Sequence, residues 1–286
     1  MIQAGLVLEG GGMKGVYTAG VLDFFMERGL YFANCYGVSA GAIHLCSYIS
    51  KQHKRAYRAS MNYLDDKNYC GVGSLIKTGD FFNVKMCYDD IPNKLDLYDY
   101  KTAAKYEGNA YAVVTNIRTG EAEYMPMREM HRDILAVRAS ASLPLLSRNV
   151  KIGDEYYLDG AMADSIPIRR SIADGNQKNV VILTKEIGFV RKPSSHIGLM
   201  KLRYKKYPKV YELMANRHNM YNDTLAFIEE EEKAGRAFVI RPQVAGNVGR
   251  IEKDRAKLEA LYQTGYEDAK NCYESLLVFL QNKRSI

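Results

Sequence analysis

"FANCYGVSAGAIHLCSYISKQ", Phe32 to Gln52, enters as a short apolar strand, crosses a run of small residues and leaves with helical spacing. The change of period falls at Ser39, between Gly37 and Gly41. A serine at such a turn is either an exposed nucleophile or a polar residue in a glycine-rich loop. The small neighbours Gly37, Ala40 and Gly41 favour the former, because at a nucleophile elbow neighbouring backbone passes close by. A lone G-x-S-x-G arises by chance in roughly one chain in ten of this length, so the rest of the chain has to supply the other parts.

Upstream, "AGLVLEGGG", Ala4 to Gly12, reads as a buried strand running into a glycine turn. "MKGVYTAGVLDFFMERGL" then carries apolar residues at helical spacing, with Gly29 as the stop. Downstream, "AYAVVTNIRTGEAEYMPM" reads as a hairpin turning at Arg118-Thr119-Gly120, and "HRDILAVRASASLP" as a helix closed by Pro144. "VKIGDEYYLDGA" is strand-turn-strand, and "NVVILTKEI" is a buried strand. From Ile251 the pattern is helical with a break expected near Gly265. Strands alternating with helices, and no Pro/Gly-rich linker, predict a single α/β domain with a largely parallel sheet. Its core runs from about residue 5 to 185, with a helical C-terminal portion from about 195 to 286.

The 286 residues are 47% hydrophobic and 26% charged, ordinary for a globular protein with a full core. Five scattered cysteines with no C-x-x-C spacing argue against a disulfide framework or a zinc site. The apolar start has no basic region before it, so it is not read as a signal peptide, and no run is long enough to span a membrane. The expected location is the cytoplasm. A net charge of +7 favours acidic partners. The densest basic-aromatic stretch, Lys201 to Tyr221, reads as a solvated helix pair with amphipathic tyrosines, the alternative being a contact surface for anionic lipid.

"GGGMKG", Gly10 to Gly15, also fits a dinucleotide fingerprint. That reading requires an acidic residue at the end of the next strand, where this chain has Gly37-Val38-Ser39. A phosphate-binding P-loop requires Ser or Thr after Lys14, where Gly15 stands. What survives is the physical content: glycines allow close backbone approach, and N–H groups at a helix start point at negative charge. That describes an oxyanion hole as well as a phosphate cradle. Lys14 and Gly15 are the candidate substrate-binding end of this loop, the lysine suiting a phosphate-bearing substrate. In "LDGA", Leu158 to Ala161, Asp159 leaves a strand where its carboxylate can face the same crevice, although Asp-Gly alone is a turn signal. A Ser-Asp-His order would require His196 or His218, both in the basic helical stretch, and His44 follows Ser39 too closely to reach back.

GGG-x-K-G, then G-x-S-x-G, then D-G-A more than a hundred residues later resembles the patatin-like phospholipases, in particular their bacterial subgroup. "ASASLP", Ala139 to Pro144, is similar to a further element of that family. The resemblance covers roughly residues 5 to 185. It implies a three-layer α/β fold and hydrolysis of lipid acyl esters by a Ser-Asp dyad without histidine, metal or cofactor. Carried onto this chain, Ser39 is the nucleophile and Asp159 the base. The backbone of Gly10, Gly11 and Gly12 forms the oxyanion hole, and Gly37, Gly41, Gly160 and Ala161 complete the motifs. The expected partner is a lipid or lysolipid ester, met at an anionic membrane surface by peripheral association, with no nucleic acid. Two rivals stand beside it: a triad-type esterase or thioesterase with an essential histidine, and a non-enzymatic binder of anionic lipid or nucleic acid.

Overall fold

A computed structural model describes residues 1–195, 197–244 and 248–282. Its strands are β1 (Ile2–Leu8), β2 (Phe32–Val38), β3 (Asn109–Asn116), β4 (Ala122–Pro126), β5 (Val150–Ile152), β6 (Glu155–Asp159), β7 (Asn179–Ile182) and β8 (Ala237–Ile240). They form one sheet in the order β5-β6-β3-β2-β1-β7-β8, with β4 pairing on β3. From β3 to β8 the neighbours run parallel, while β4, β5 and β6 supply antiparallel pairs. The helices are α1 (Val16–Glu27), α2 (Ala40–Ile49), α3 (Arg55–Met61), α4 (Val72–Thr78) and α5 (Tyr100–Ala104). They continue with α6 (Met130–Ser140), α7 (Ile168–Ala173), α8 (Ile197–Arg203), α9 (Pro208–Lys233), α10 (Arg255–Asn271) and α11 (Tyr273–Gln281). A π-helical segment, Met86–Leu95, lies between α4 and α5.

Alternation along β1 shows how the sheet is covered. Leu6 and Leu8 pack with α1, α2 and α10 on one face, and Val7 packs with Tyr221 and Ile228 of α9 on the other. Helices on both faces make the three layers that the family resemblance implies.

Three local expectations are revised. The helix does not break at Gly265: α10 runs through it and ends at Asn271. A Cβ on Gly265 would lie 2.1 Å from the Tyr17 carbonyl oxygen, so this glycine lets the backbones of α1 and α10 touch. The C-terminal portion is not purely helical, because β8 extends the sheet beside β7. Between Lys201 and Tyr221 the expected helix pair forms, a short helix followed by one starting at Pro208, but Tyr204 and Tyr221 are fully buried rather than half-covered on the body.

One register detail brings distant segments together. Val114 and Thr115 of β3 pair with both β4 and β6, so those two strands occupy opposite edges of β3. β6 therefore shares the edge that β2 uses, and runs against it. Val38 lies opposite Val113 and Asp159 opposite Val114, so the two strands meet end to end. Ser39 and Asp159 are delivered to the same point by neighbouring residues of one strand.

Candidate active site

Ser39 sits between β2 and α2 at φ 53°, ψ −119°, a backbone conformation costly for a residue with a side chain, by about 1–3 kcal/mol. The surroundings hold it there. Its N–H donates to Ser140 Oγ at 2.8 Å. A Cβ on Gly37 would lie 2.7 Å from Ala42 backbone atoms, and one on Gly41 would lie 2.6 Å from the Leu8 carbonyl oxygen. The small residues around the serine are thus required by close backbone contact, and Ser39 stands at the apex with the N-terminus of α2 beneath it.

Asp159 ends β6 and is almost fully buried. Ser39 Oγ donates to its Oδ2 at 2.7 Å, and the Ala161 N–H donates to its Oδ1 at 2.8 Å. Its own N–H donates to the Ser142 carbonyl oxygen at 2.9 Å, and Thr115 Oγ1 donates to its carbonyl at 2.9 Å. Gly160 has no room for a side chain, since a Cβ there would lie 2.1 Å from the Val113 carbonyl oxygen. Burial raises the carboxyl pKa above its ordinary value, opposed by the Ser39 hydroxyl, the Ala161 N–H and the positive charges of Arg217 and Arg250.

The glycine loop closes over the serine. A Cβ on Gly10 would lie 2.9 Å from Ser39 Cβ. Among the described residues no protein acceptor takes the N–H groups of Gly10, Gly11 or Gly12. Gly12 has φ +57°, and the next N–H, of Met13, donates to the Arg250 carbonyl at 3.0 Å. Ala40 and His44 cover Gly15, whose smallness serves the packing of the loop on α2. Lys14 lies close enough to Lys185 to depress its pKa.

Ser39 opens into a mostly apolar cleft of about 1300 Å³, its mouth included. Ile43, Val84, Ile91, Ile134, Val137 and Leu143 line it. The Arg138–Asp80 pair (3.9 Å) and Arg55 are charged groups within that wall. His44 lines it too, its pKa pushed down to about 4 by burial. No described histidine hydrogen-bonds to Ser39 or Asp159. His131 stacks on Tyr100, His53 pairs with Glu27, and His218 Nδ1 is buried without a partner. His196 lies outside the described residues.

Sequence reading missed several residues at this site. Ser140 ends α6 and fixes the Ser39 backbone, and Ser142, in the turn that follows, fixes that of Asp159. "ASASLP" was the available signal. Arg217 donates through Nε to the Ala161 carbonyl at 2.5 Å, and no spacing motif links it to the dyad.

Residues 6–172 match the patatin-like phospholipase family, and residues 207–281 match a domain family of unknown function, DUF6363. The chain is 26% identical over 243 residues to the uncharacterized protein YjjU of Escherichia coli (strain K12), across 83% of this chain and 68% of that one. VipD from Legionella pneumophila, a solved structure, aligns with 95% of this chain and 67% of its own at 13% identity, with a TM-score of 0.47. With more than half of its length matched and the three motifs gathered around one serine, the chain belongs to the patatin-like phospholipase family, a family of lipid hydrolases.

Proposed function

We propose that the protein is a serine hydrolase of lipid acyl esters, of the phospholipase A or lysophospholipase type, working through Ser39 and Asp159. The observation that carries this reading is the 2.7 Å hydrogen bond from Ser39 Oγ to a buried carboxylate, at the mouth of an apolar cleft. The acyl chain lies in the cleft and its carbonyl carbon faces Ser39. Oγ attacks as Asp159 accepts the hydroxyl proton, and the N–H groups of Gly10, Gly11 and Gly12 stabilise the oxyanion. Collapse expels the alcohol, which takes the proton from Asp159, and leaves an acyl-enzyme. Water then attacks with Asp159 again accepting a proton, and the fatty acid leaves as the proton returns to Ser39. The raised carboxyl pKa makes Asp159 a stronger base than an exposed aspartate.

A serine-directed fluorophosphonate tests the reading. Stoichiometric labelling that Ser39→Ala abolishes, together with fatty-acid release from lysolipid, is the expected result. Absence of both in folded protein rejects it in favour of a binding protein.

Among the described residues no helix is long and apolar enough to cross a membrane. The proposed meeting with lipid, in the cytoplasm, is peripheral. Exposed Ile187, Val190, Leu199 and Leu202 beside Lys192, Lys201, Lys205 and Lys206 support contact with an anionic surface. Binding to vesicles should rise with anionic lipid and fall with salt; equal binding to neutral vesicles rejects this route.

A further inference from the structure

The apolar cleft accounts for one side of Ser39, and a group of cations gathers near Asp159 and the glycine loop. Arg217 reaches from α9 to the Ala161 carbonyl, two residues beyond Asp159, and its Nη2 lies 3.4 Å from Ser165 Oγ. Arg250, from the loop before α10, receives the Met13 N–H on its carbonyl, and that carbonyl lies 2.6 Å from where a Cβ on Gly12 would stand. Arg191 lies 4.0 Å above the Tyr221 ring, its Nε buried with no partner. Lys185 follows β7, and Lys14 sits in the glycine loop.

The carboxylates nearby, Glu9 and Asp159, offset this group only in part and are engaged elsewhere. Glu9 is fully buried, but it accepts from the Tyr221 hydroxyl at 2.6 Å and from the Thr184 N–H and Oγ1 at 2.6 and 3.0 Å. Asp159 is held by Ser39 and Ala161. Among the described residues none of Lys14, Lys185, Arg191, Arg217 and Arg250 forms an ion pair within 4.0 Å. Their charges oppose one another. Arg217 is pulled down to about 10 by withdrawal from water and by Arg191 and Arg250. Lys185 is pulled down to about 8 by withdrawal from water and by Lys14. Gathering unpaired cations around a serine costs stability unless an anion joins them.

We propose that these five residues form an anion-binding wall that fixes a phosphoryl group on the alcohol side of the scissile ester. Two of them, Arg217 and Arg250, come from the C-terminal segment that matches a family of unknown function, which thereby gains a task in this chain. The inference rests on the ester-hydrolase reading and adds the residues that choose its substrate. An acyl chain in the cleft places the ester carbonyl at Ser39 and the leaving alcohol toward the wall. Arginine suits the role because its planar fork pairs with two phosphoryl oxygens at once.

The test compares two esters with the same acyl chain, a 1-acyl lysophosphatidate and the neutral 1-monoacylglycerol. Arg250→Gln and Arg191→Gln should each lower the ratio of kcat/KM for the phosphorylated ester to kcat/KM for the neutral ester about 10- to 100-fold. Inorganic phosphate should inhibit hydrolysis of the neutral ester competitively, and less so in the variants. Arg217→Lys, which keeps the charge near Ala161, serves as the conservative control and should retain more of the discrimination than Arg217→Gln. Calorimetric binding of the lysophosphatidate to Ser39→Ala protein separates the two proposals. If anion binding depends on the arginines but nothing is hydrolysed by the native protein, the wall stands and the hydrolase reading falls. If both esters are hydrolysed with equal kcat/KM, or all variants lose both esters equally, the wall is overturned and the hydrolase reading stands. Competition by inorganic phosphate without any preference for the phosphorylated ester assigns the site to free phosphate and overturns the head-group role.

Discussion

The two sides of Ser39 are built from different materials by different parts of the chain. One wall is apolar, from α2, the π-helical segment and α6, and its charged residues are paired, Arg138 with Asp80 and Arg55 with Asp96. The other holds Arg191, Arg217 and Arg250, with no ion pair among the described residues, and it comes from the loop after β7, α9 and the loop before α10. An apolar wall recognises by area, at about 25 cal/mol per Å² buried, and tolerates many shapes. A cationic wall recognises by charge and geometry and discriminates more sharply. The contrast assigns the acyl chain to the first and the anionic end to the second, with the dyad at the seam.

The largest effect should come from the seam itself. Asp159→Asn removes the proton acceptor while keeping the shape, and kcat should fall by about 10³–10⁴, with Km for either ester little changed. The same change should stabilise the fold at pH 7. Burial raises the Asp159 pKa, so the folded state binds that proton more tightly than the unfolded chain does. This group's contribution is present below its unfolded value of 3.8 and is lost as pH rises toward its higher folded value, leaving a buried charge at neutrality. An uncharged asparagine avoids that cost. Thermal melts between pH 4 and 8 should show the variant gaining on the native protein as pH rises. A variant that melts lower at pH 7 would mean that the carboxylate is stabilised by its neighbours and that the seam is not strained.

The next effect belongs to the apolar wall. Ile134 lines the cleft and is only partly buried, so Ile134→Trp fills space rather than overpacking the core. Each methylene forced out of the cleft loses about 0.8 kcal/mol, or about fourfold in kcat/KM. Activity on long-chain esters should fall about 10- to 100-fold, that on short-chain esters should stay within about twofold, and the preference for a phosphoryl group should not move. A change in phosphoryl preference would merge the two walls into one.

The two sides were not equally legible in the sequence. β1, β2, β6 and β7 carry strong local patterns, and Ser39, Asp159 and the glycine loop stand in motifs whose small residues are dictated by backbone contacts such as Gly10 on Ser39 and Gly160 on Val113. β8, four residues long and half-buried at its centre, gave no such pattern. Tyr204 and Tyr221 looked like surface residues because their neighbours are lysines and polar groups, yet Tyr221 spans the fold to hydrogen-bond with Glu9. Lys14 stands in the glycine motif and reads as suiting a phosphate-bearing substrate, but Lys185, Arg191, Arg217 and Arg250 carry no motif and meet it only through sheet order and helix placement. Local pattern encodes elements and motifs; convergence of unpatterned charges is a property of the tertiary structure.

The smallest effect is a pH response confined to the cationic wall. Lys185, at about 8, changes charge within an accessible range, whereas the arginines do not. A phosphate monoester has its second pKa near 6, so its charge changes little between pH 7 and 9. Over that interval KM for the phosphorylated ester should rise a few-fold as Lys185 loses its proton, while kcat and the neutral ester stay flat. The stability sign is opposite. A folded-state value below the unfolded 10.5 means that the charged form is disfavoured in the native protein, so this group costs stability below about pH 8 and the cost fades as pH rises toward 10.5. Lys185→Gln should remove both responses, giving a KM that no longer varies from pH 7 to 9 and a melting temperature that is higher at pH 7. Bound anion pulls the lysine back toward its charged state, so saturating phosphate should move the native protein's transition upward by the amount its binding is coupled to the proton. If the native KM is flat across pH 7 to 9, Lys185 stands outside the wall, and the anion is held by the arginines and Lys14 alone.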